Sequence, residues 1–248
     1  MAFMNLKFYS EALGMQTEVY VVIPQRSTAG EIGVQTNAKA EKYKCLYLLH
    51  GLSDDHSIWL RRTSIERYAS EYGICVVMPA AARSFYTDMK YGQKYYTYIA
   101  KELPKIIREF LNVSDKREDN YVAGLSMGGY GAIKVALTRP DLFGYCASFS
   151  GALDVAHMWD PRLWREGRYI FGCDLEGFSD LEGTPHDLFA LCTRAKEADT
   201  PFPALYLWCG ERDSLLGDNR KFHAHLDALG VEHTYAESDG NHAWTYWD

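Results

Sequence analysis

The segment Asn120-Tyr-Val-Ala-Gly-Leu-Ser-Met-Gly-Gly-Tyr-Gly131 constrains the fold more than any other part of this chain. It reads as a short buried strand that breaks sharply into a helix, with Ser126 at the corner. Tyr121, Val122 and Ala123 suit a strand, and Tyr130 to Thr138 carry helix formers with no proline before Pro140. Gly124 and Gly128 flank the serine in the pattern Gly-x-Ser-x-Gly. In so tight a turn, side chains two positions either side of the serine would collide, and only glycine fits comfortably. The pattern by itself recurs in unrelated loops. Its setting between strand and helix is what makes it a nucleophile elbow.

The remaining apolar runs predict the sheet that such an elbow needs. Leu6 to Ser10 and Gln16 to Ile23 read as an antiparallel hairpin around Leu13-Gly14, closed by Pro24. Strands are expected at Cys45 to Leu49, Ile74 to Met78, Gly144 to Phe149, Ala204 to Cys209 and His233 to Glu237. Helices are expected at about Ser64 to Tyr72, Tyr95 to Leu111 with a kink or break at Pro104, and Asp218 to Leu229. Residues 25–42 read as a polar surface excursion, and 151–199 as an irregular, cap-like insertion. Continuous apolar strands separated by helices predict an α/β architecture, a mostly parallel sheet covered on both faces. Chemistry in such sheets gathers at the carboxyl ends of the strands, in the loops after Leu49, Met78, Leu125 and Cys209.

Composition narrows the function classes. The 248 residues fit one domain, 1–248, with a large core, and show no internal repeat. A net charge of -7 without a sustained basic run argues against nucleic acid, which needs a concentrated positive footprint. No apolar segment approaches membrane-spanning length, and the start, Met1 to Phe8, lacks the pattern of a secretory leader. The expected location is therefore cytoplasmic. Six cysteines without metal spacing read as buried, reduced thiols, so no metal site and no cofactor are predicted from them.

A serine hydroxyl near neutrality needs a base, and that base needs an acid to fix its tautomer. In sheet enzymes built on this elbow the acid and then the histidine follow the serine along the chain. His223 and His225 fall on a polar helix and His233 opens a strand. His242, in the turn-rich loop Ser238-Asp-Gly-Asn-His-Ala-Trp244, stands where the base is expected. Asp213, in Gly210-Glu-Arg-Asp-Ser214, is the leading acid, with Glu211, Asp154 and Asp239 as alternatives that also suit solvated turns or caps. Two backbone N–H donors should face the developing oxyanion: Met127, next to the serine, and Leu52, in the loop His50-Gly51-Leu52. His50 reads as a residue that orients that loop.

Taken together, these pieces resemble the esterase D and S-formylglutathione hydrolase-like branch of the α/β-hydrolases, and within it the bacterial tributyrin esterase-like carboxylesterases. The matching segments run in order over nearly the whole chain: the opening hairpin, Leu48-Leu-His-Gly-Leu52 with Trp59-Leu-Arg-Arg62, Ser84-Phe-Tyr-Thr-Asp88, Gly124 to Ala132, Cys209 to Asp213 and Gly240-Asn-His-Ala-Trp244. The resemblance implies an α/β-hydrolase fold and a serine carboxylesterase for short-chain acyl esters, acetyl or hydroxycinnamoyl esters of carbohydrates among them, with no cofactor. It places Ser126, Asp213 and His242 as nucleophile, acid and base, and leaves room for self-association. A thioesterase using the same site, or a non-catalytic binding protein on the same fold, are the other readings. Two departures stand out: Ser53-Asp-Asp-His56 replaces the cysteine-containing loop of true S-formylglutathione hydrolases, and the chain stops at Asp248, where relatives usually add a helix. Trp59, Phe85 and Tyr86 are expected near the substrate, whereas Trp159, Trp164, Tyr169, Phe171, Phe178 and Phe189 suit a cap and its packing.

Overall fold

The computed structural model describes residues 1–25, 41–158, 161–173 and 176–248, with 161–165 and 176–177 described as backbone only. Most of the predicted excursion at 25–42, Trp159 and the Trp164 side chain lie outside the described residues. The strands are β1 (Ala2–Ser10), β2 (Met15–Ile23), β3 (Lys44–Leu49), β4 (Ile74–Pro79), β5 (Asn120–Leu125), β6 (Tyr145–Phe149), β7 (Ala204–Gly210) and β8 (His233–Ser238). Among the described residues they form one sheet in the order β1-β2-β4-β3-β5-β6-β7-β8. β1 and β2 pair antiparallel from Ala2 opposite Ile23 to Ser10 opposite Met15, β2 pairs antiparallel with β4, and every later pairing is parallel.

Alternation along the strands sorts the apolar side chains into two cores. Cys45, Tyr47 and Leu49 of β3 face one side, while Leu46 and Leu48 face the other. The first core is completed by helical residues from α3 (Tyr95–Thr97) with α4 (Leu103–Phe110), α5 (Met127–Thr138), α7 (Leu188–Glu197) and α8 (Leu216–Ala228). The second packs against α1 (Ile58–Arg62) and α2 (Ile65–Tyr72). Over β5, β6 and β7 this second face opens into a cavity of about 720 Å³, lined by Tyr121, Tyr145, Tyr206 and Trp208 among others. No helix among the described residues is long and apolar enough to cross a membrane.

Pro104 does not break its helix. A turn of π-helix over Tyr98–Glu102 joins α3 to α4 and puts the proline in the first turn of α4, where a missing N–H is tolerated. The carbonyl of Ala100, four residues back, accepts a hydrogen bond from the Arg139 guanidinium instead. The stretch expected to be irregular, 151–199, contains α6 (Pro161–Ile170) and α7. Its described aromatics mostly pack: Phe171 meets Phe85, Phe178 and His186, with Phe171 and Phe178 bordering a small void beside Phe85, Phe189 meets Phe222, and Tyr169 is exposed.

The neighbours of β3 fix where chemistry can occur. The chain leaves β3 for β4 on one side, then returns to place β5 on the other. The carboxyl ends of β3 and β5 therefore flank the point where strand order reverses, the natural crevice of an open parallel sheet. The loop His50-Gly51-Leu52 and the corner Ser126 emerge there.

Candidate active site

Ser126 turns the chain at φ 53°, ψ -119°, a conformation that non-glycine residues avoid, between the end of β5 and the start of α5. Neighbouring backbone over-determines it: Ser126 N–H donates to Phe149 O at 3.0 Å, and Ser126 O accepts from Ala152 N–H at 3.0 Å. The flanking glycines are required by space. A Cβ on Gly124 would lie 2.4 Å from Gly128 O, and one on Gly128 would lie 2.4 Å from Leu49 O.

Two further loops bring partners to this corner. His242 Nε2 stands 3.0 Å from Ser126 Oγ, and its Nδ1 is 3.0 Å from both carboxylate oxygens of Asp213. The Asp213 side chain is wholly buried. Burial alone would push its carboxyl above the ordinary range, but hydrogen bonds from His242, Leu215 N–H and Ser150 outweigh it and hold the group below. It is thus an anion aimed at the imidazole. The alternative acids are engaged elsewhere or exposed: Asp154 with His157 and Lys221, Asp239 with Arg212, and Glu211 in solvent.

A cavity of about 540 Å³ opens over the serine. Leu52 and Met127 line it, with Gly51, Asp54, Arg83, Phe85, Met158, Leu215 and Trp244 among the remaining wall residues. Met127 begins α5, and the first N–H groups of a helix lack intrahelical partners, so this end of the helix favours negative charge. His50 is buried and neutral, as burial lowers its pKa. Its Nε2 accepts from Ala81 N–H at 3.0 Å while Nδ1 donates to Gly51 O at 2.7 Å. It ties the loop after β3 to the loop after β4, the orienting role read from the sequence.

Of the three predicted substrate contacts, only Phe85 lines the cavity. Trp59 is directed under the loop: its indole N–H donates to Leu49 O at 3.0 Å and its ring packs edge-on against Trp244. It borders the cavity over β5 to β7 instead. Tyr86 is fully buried, and its hydroxyl donates to His50 O at 2.9 Å. Both Phe85 and Tyr86 take φ 49°, so consecutive left-handed residues point one ring to the cavity and the other into the core. Tyr86→Phe is therefore expected to leave acyl-chain-length preference unchanged while lowering Tm by about 2–4 °C, the effect of one lost buried hydrogen bond of about 1 kcal/mol. A changed chain-length profile would return Tyr86 to the substrate.

Sequence reasoning missed Asp54 and Arg83. The Asp54 carboxylate is pushed up by burial and held back by a hydrogen bond from Gly51 N–H, so it braces the same loop as His50. Arg83 pairs with Glu166 of α6 at 2.8 Å and reaches towards Leu52 O at 3.5 Å. Only the charges themselves, in loops after β3 and β4, signalled them.

A buried aspartate, a histidine and a serine in line at the carboxyl edge of this sheet define an α/β-hydrolase. The chain belongs to the Putative esterase family, whose model matches residues 10–248. An acetyl esterase of Caldicellulosiruptor saccharolyticus is 30% identical, over all of this chain and 94% of its own. Two Staphylococcus aureus structures each share 34% identity over the whole chain and 94% of theirs: the fluorophosphonate-binding serine hydrolase FphF, at a TM-score of 0.89, and the S-formylglutathione hydrolase FrmB, at 0.84. The resemblance to the esterase D and S-formylglutathione hydrolase-like branch holds, and the protein is a carboxylic ester hydrolase.

Proposed function

We propose that the protein is a serine carboxylesterase for short-chain acyl esters, a single domain whose segment 151–199 caps the site. The observation that carries this reading is the unbroken line from Asp213 through His242 to Ser126, with 3.0 Å at each step. Ser126 Oγ attacks the ester carbonyl carbon as His242 Nε2 takes its proton, and Asp213 steadies the imidazolium. The oxyanion is received by the N–H groups of Leu52 and Met127. Collapse of the tetrahedral intermediate breaks the bond to the alcohol oxygen, which leaves with the proton from His242. Water then gives a proton to His242, attacks the acyl-enzyme and releases the acid, restoring the Ser126 hydroxyl. No step calls on a cofactor.

The acetyl esterase relative favours a small acyl group. FrmB, at 34% identity, favours a thioester as the second reading, although Ser53-Asp-Asp-His56 replaces the cysteine-containing loop of true S-formylglutathione hydrolases. With p-nitrophenyl acetate we expect a burst of one p-nitrophenol per chain and a trapped acetyl group on the Ser126 peptide. Acetyl on any other residue, with Ser126 unmodified, refutes the assignment. Comparing kcat/KM for acetyl-xylan, feruloyl, tributyrin and formyl-thioester substrates identifies the class, because specificity is a ratio of those values.

A further inference from the structure

His223 and Asp227 lie one turn apart on α8, and His233 opens β8 beside them. One ligand atom from each can be chosen so that all three lie within 4.8 Å of one another. The hydrogen-bond directions in this group do not close. His233 Nδ1 sits 2.8 Å from Val231 O, which can only accept, so this nitrogen carries the proton and Nε2 presents a lone pair. That lone pair faces His223 Nδ1 at 2.7 Å, while His223 Nε2 faces an Asp227 oxygen at 3.5 Å. A neutral His223 has one proton for two acceptors. If the proton is on Nδ1, the other lone pair meets the carboxylate; if it is on Nε2, two imidazole lone pairs confront each other at 2.7 Å. Each tautomer leaves one nitrogen lone pair facing either the carboxylate or the other imidazole, a juxtaposition that a bound cation relieves.

We propose that this cluster is a binding site for a divalent transition-metal cation of the zinc class, held by His223 Nδ1, His233 Nε2 and the Asp227 carboxylate with water in the remaining position. Two imidazoles and a carboxylate suit such an ion better than calcium or magnesium, which prefer all-oxygen shells. The supporting shell is in place. His233 already donates its other N–H to a backbone carbonyl, the arrangement that fixes a metal-binding histidine, and His223 lies flat on Tyr235 with ring centroids 4.3 Å apart. Tetrahedral zinc at about 2.0–2.1 Å from each nitrogen sets them about 3.3 Å apart, so the rings separate by about 0.6 Å and exposed Asp227 swings in. The ion bridges α8 to β8. Asp213 lies just before α8 and His242 just after β8, so the bridge braces the frame of the catalytic loops without touching the reacting atoms.

The test uses the full chain, freed of any affinity tag and stripped with chelator, titrated with ZnCl2 by calorimetry and with CoCl2 by visible absorption. One saturable equivalent is expected, with tetrahedral cobalt bands and a Tm rise of about 5–10 °C at a hundredfold excess over Kd. His223→Gln and His233→Gln should each weaken binding at least about a hundredfold and so remove most of the Tm rise at that zinc concentration, with metal-free folding and ester kcat/KM unchanged. His242→Ala should bind zinc as the parent does. Absence of saturable binding overturns the proposal. So does binding that survives both glutamine variants or disappears with His242.

Discussion

Ser126→Ala is expected to lower kcat/KM for p-nitrophenyl butyrate by at least about 10⁴-fold, leaving a slow residual rate from the oxyanion donors and the pocket. His242→Ala should cost a comparable factor, and the double variant should be no worse than either alone, because an unactivated hydroxyl and an imidazole without its nucleophile are equally idle. Asp213→Asn belongs to the same series. The two 3.0 Å contacts between the carboxylate and His242 Nδ1 require the proton on that nitrogen, and an amide in the same place can turn its NH2 towards the ring and stabilise the tautomer that blocks Nε2. The fold should tolerate all these changes, since the corner is held by backbone bonds to Phe149 and Ala152 rather than by the hydroxyl. Ser126→Ala retaining more than about a hundredth of the parental kcat/KM, with losses multiplying in the double variant, would separate the serine from the reaction.

How much of this was legible in the sequence depended on the range of the interaction involved. Strands of the sheet interior announce themselves as continuous apolar runs: β3 and β4 bury nearly all their side chains, β7 keeps the pattern although one of its faces opens to the cavity, and all three have ends within a residue or so of prediction. The serine corner was legible because its constraint is local: a Cβ two positions away strikes backbone. Chain order then located the aspartate and the histidine. The direction of a ring leaving a loop is set by tertiary contacts that no spacing reports. Trp59 and Tyr86 follow the right strands, but their polar atoms are drawn inward to donate to the carbonyls of Leu49 and His50. Phe85 reaches the cavity because the left-handed turn separates it from Tyr86.

The helices within 151–199 differ, because their start signals are local. Asp187 caps α7 by accepting from Phe189 and Ala190 N–H, and Pro161 stands at the first position of α6. Both are ordinary helix-start signals, set in a stretch that mixes aromatics with charges. The whole neighbourhood of His223 and His233 was invisible, since it joins a helix to a strand only after both have packed.

Lys134 provides the second large effect, through stability. Its ammonium is buried in the middle of α5, donating to Thr87 Oγ1 at 2.7 Å and His186 Nδ1 at 3.2 Å. Burial pushes its pKa down to about 7, with the more distant Asp88 carboxylate the charge that opposes the shift. His186, pushed down to about 4 by burial and then by the Lys134 charge, stays neutral and accepts. An unfolded lysine titrates near its model value of 10.5. Between about 7 and that value the unfolded chain therefore binds more protons than the folded one, and stability from this group rises with pH across the window. Below it, both states are protonated and the full penalty of burying the charge remains. We expect the stability of the parent relative to Lys134→Met, measured by urea unfolding, to grow by about 3 kcal/mol from pH 7 to pH 9.5. The comparison cancels the buried tyrosines and cysteines, which titrate alike in both proteins. The partners orphaned on Thr87 and His186 add an offset that is constant with pH, because His186 titrates well below the window. A parent-minus-variant difference that stays flat would mean that Lys134 keeps its ordinary pKa in the fold. A rising one would show that the helix behind Ser126, the turn that carries Phe85 and the start of α7 are held together by an amine that sheds its proton near neutrality.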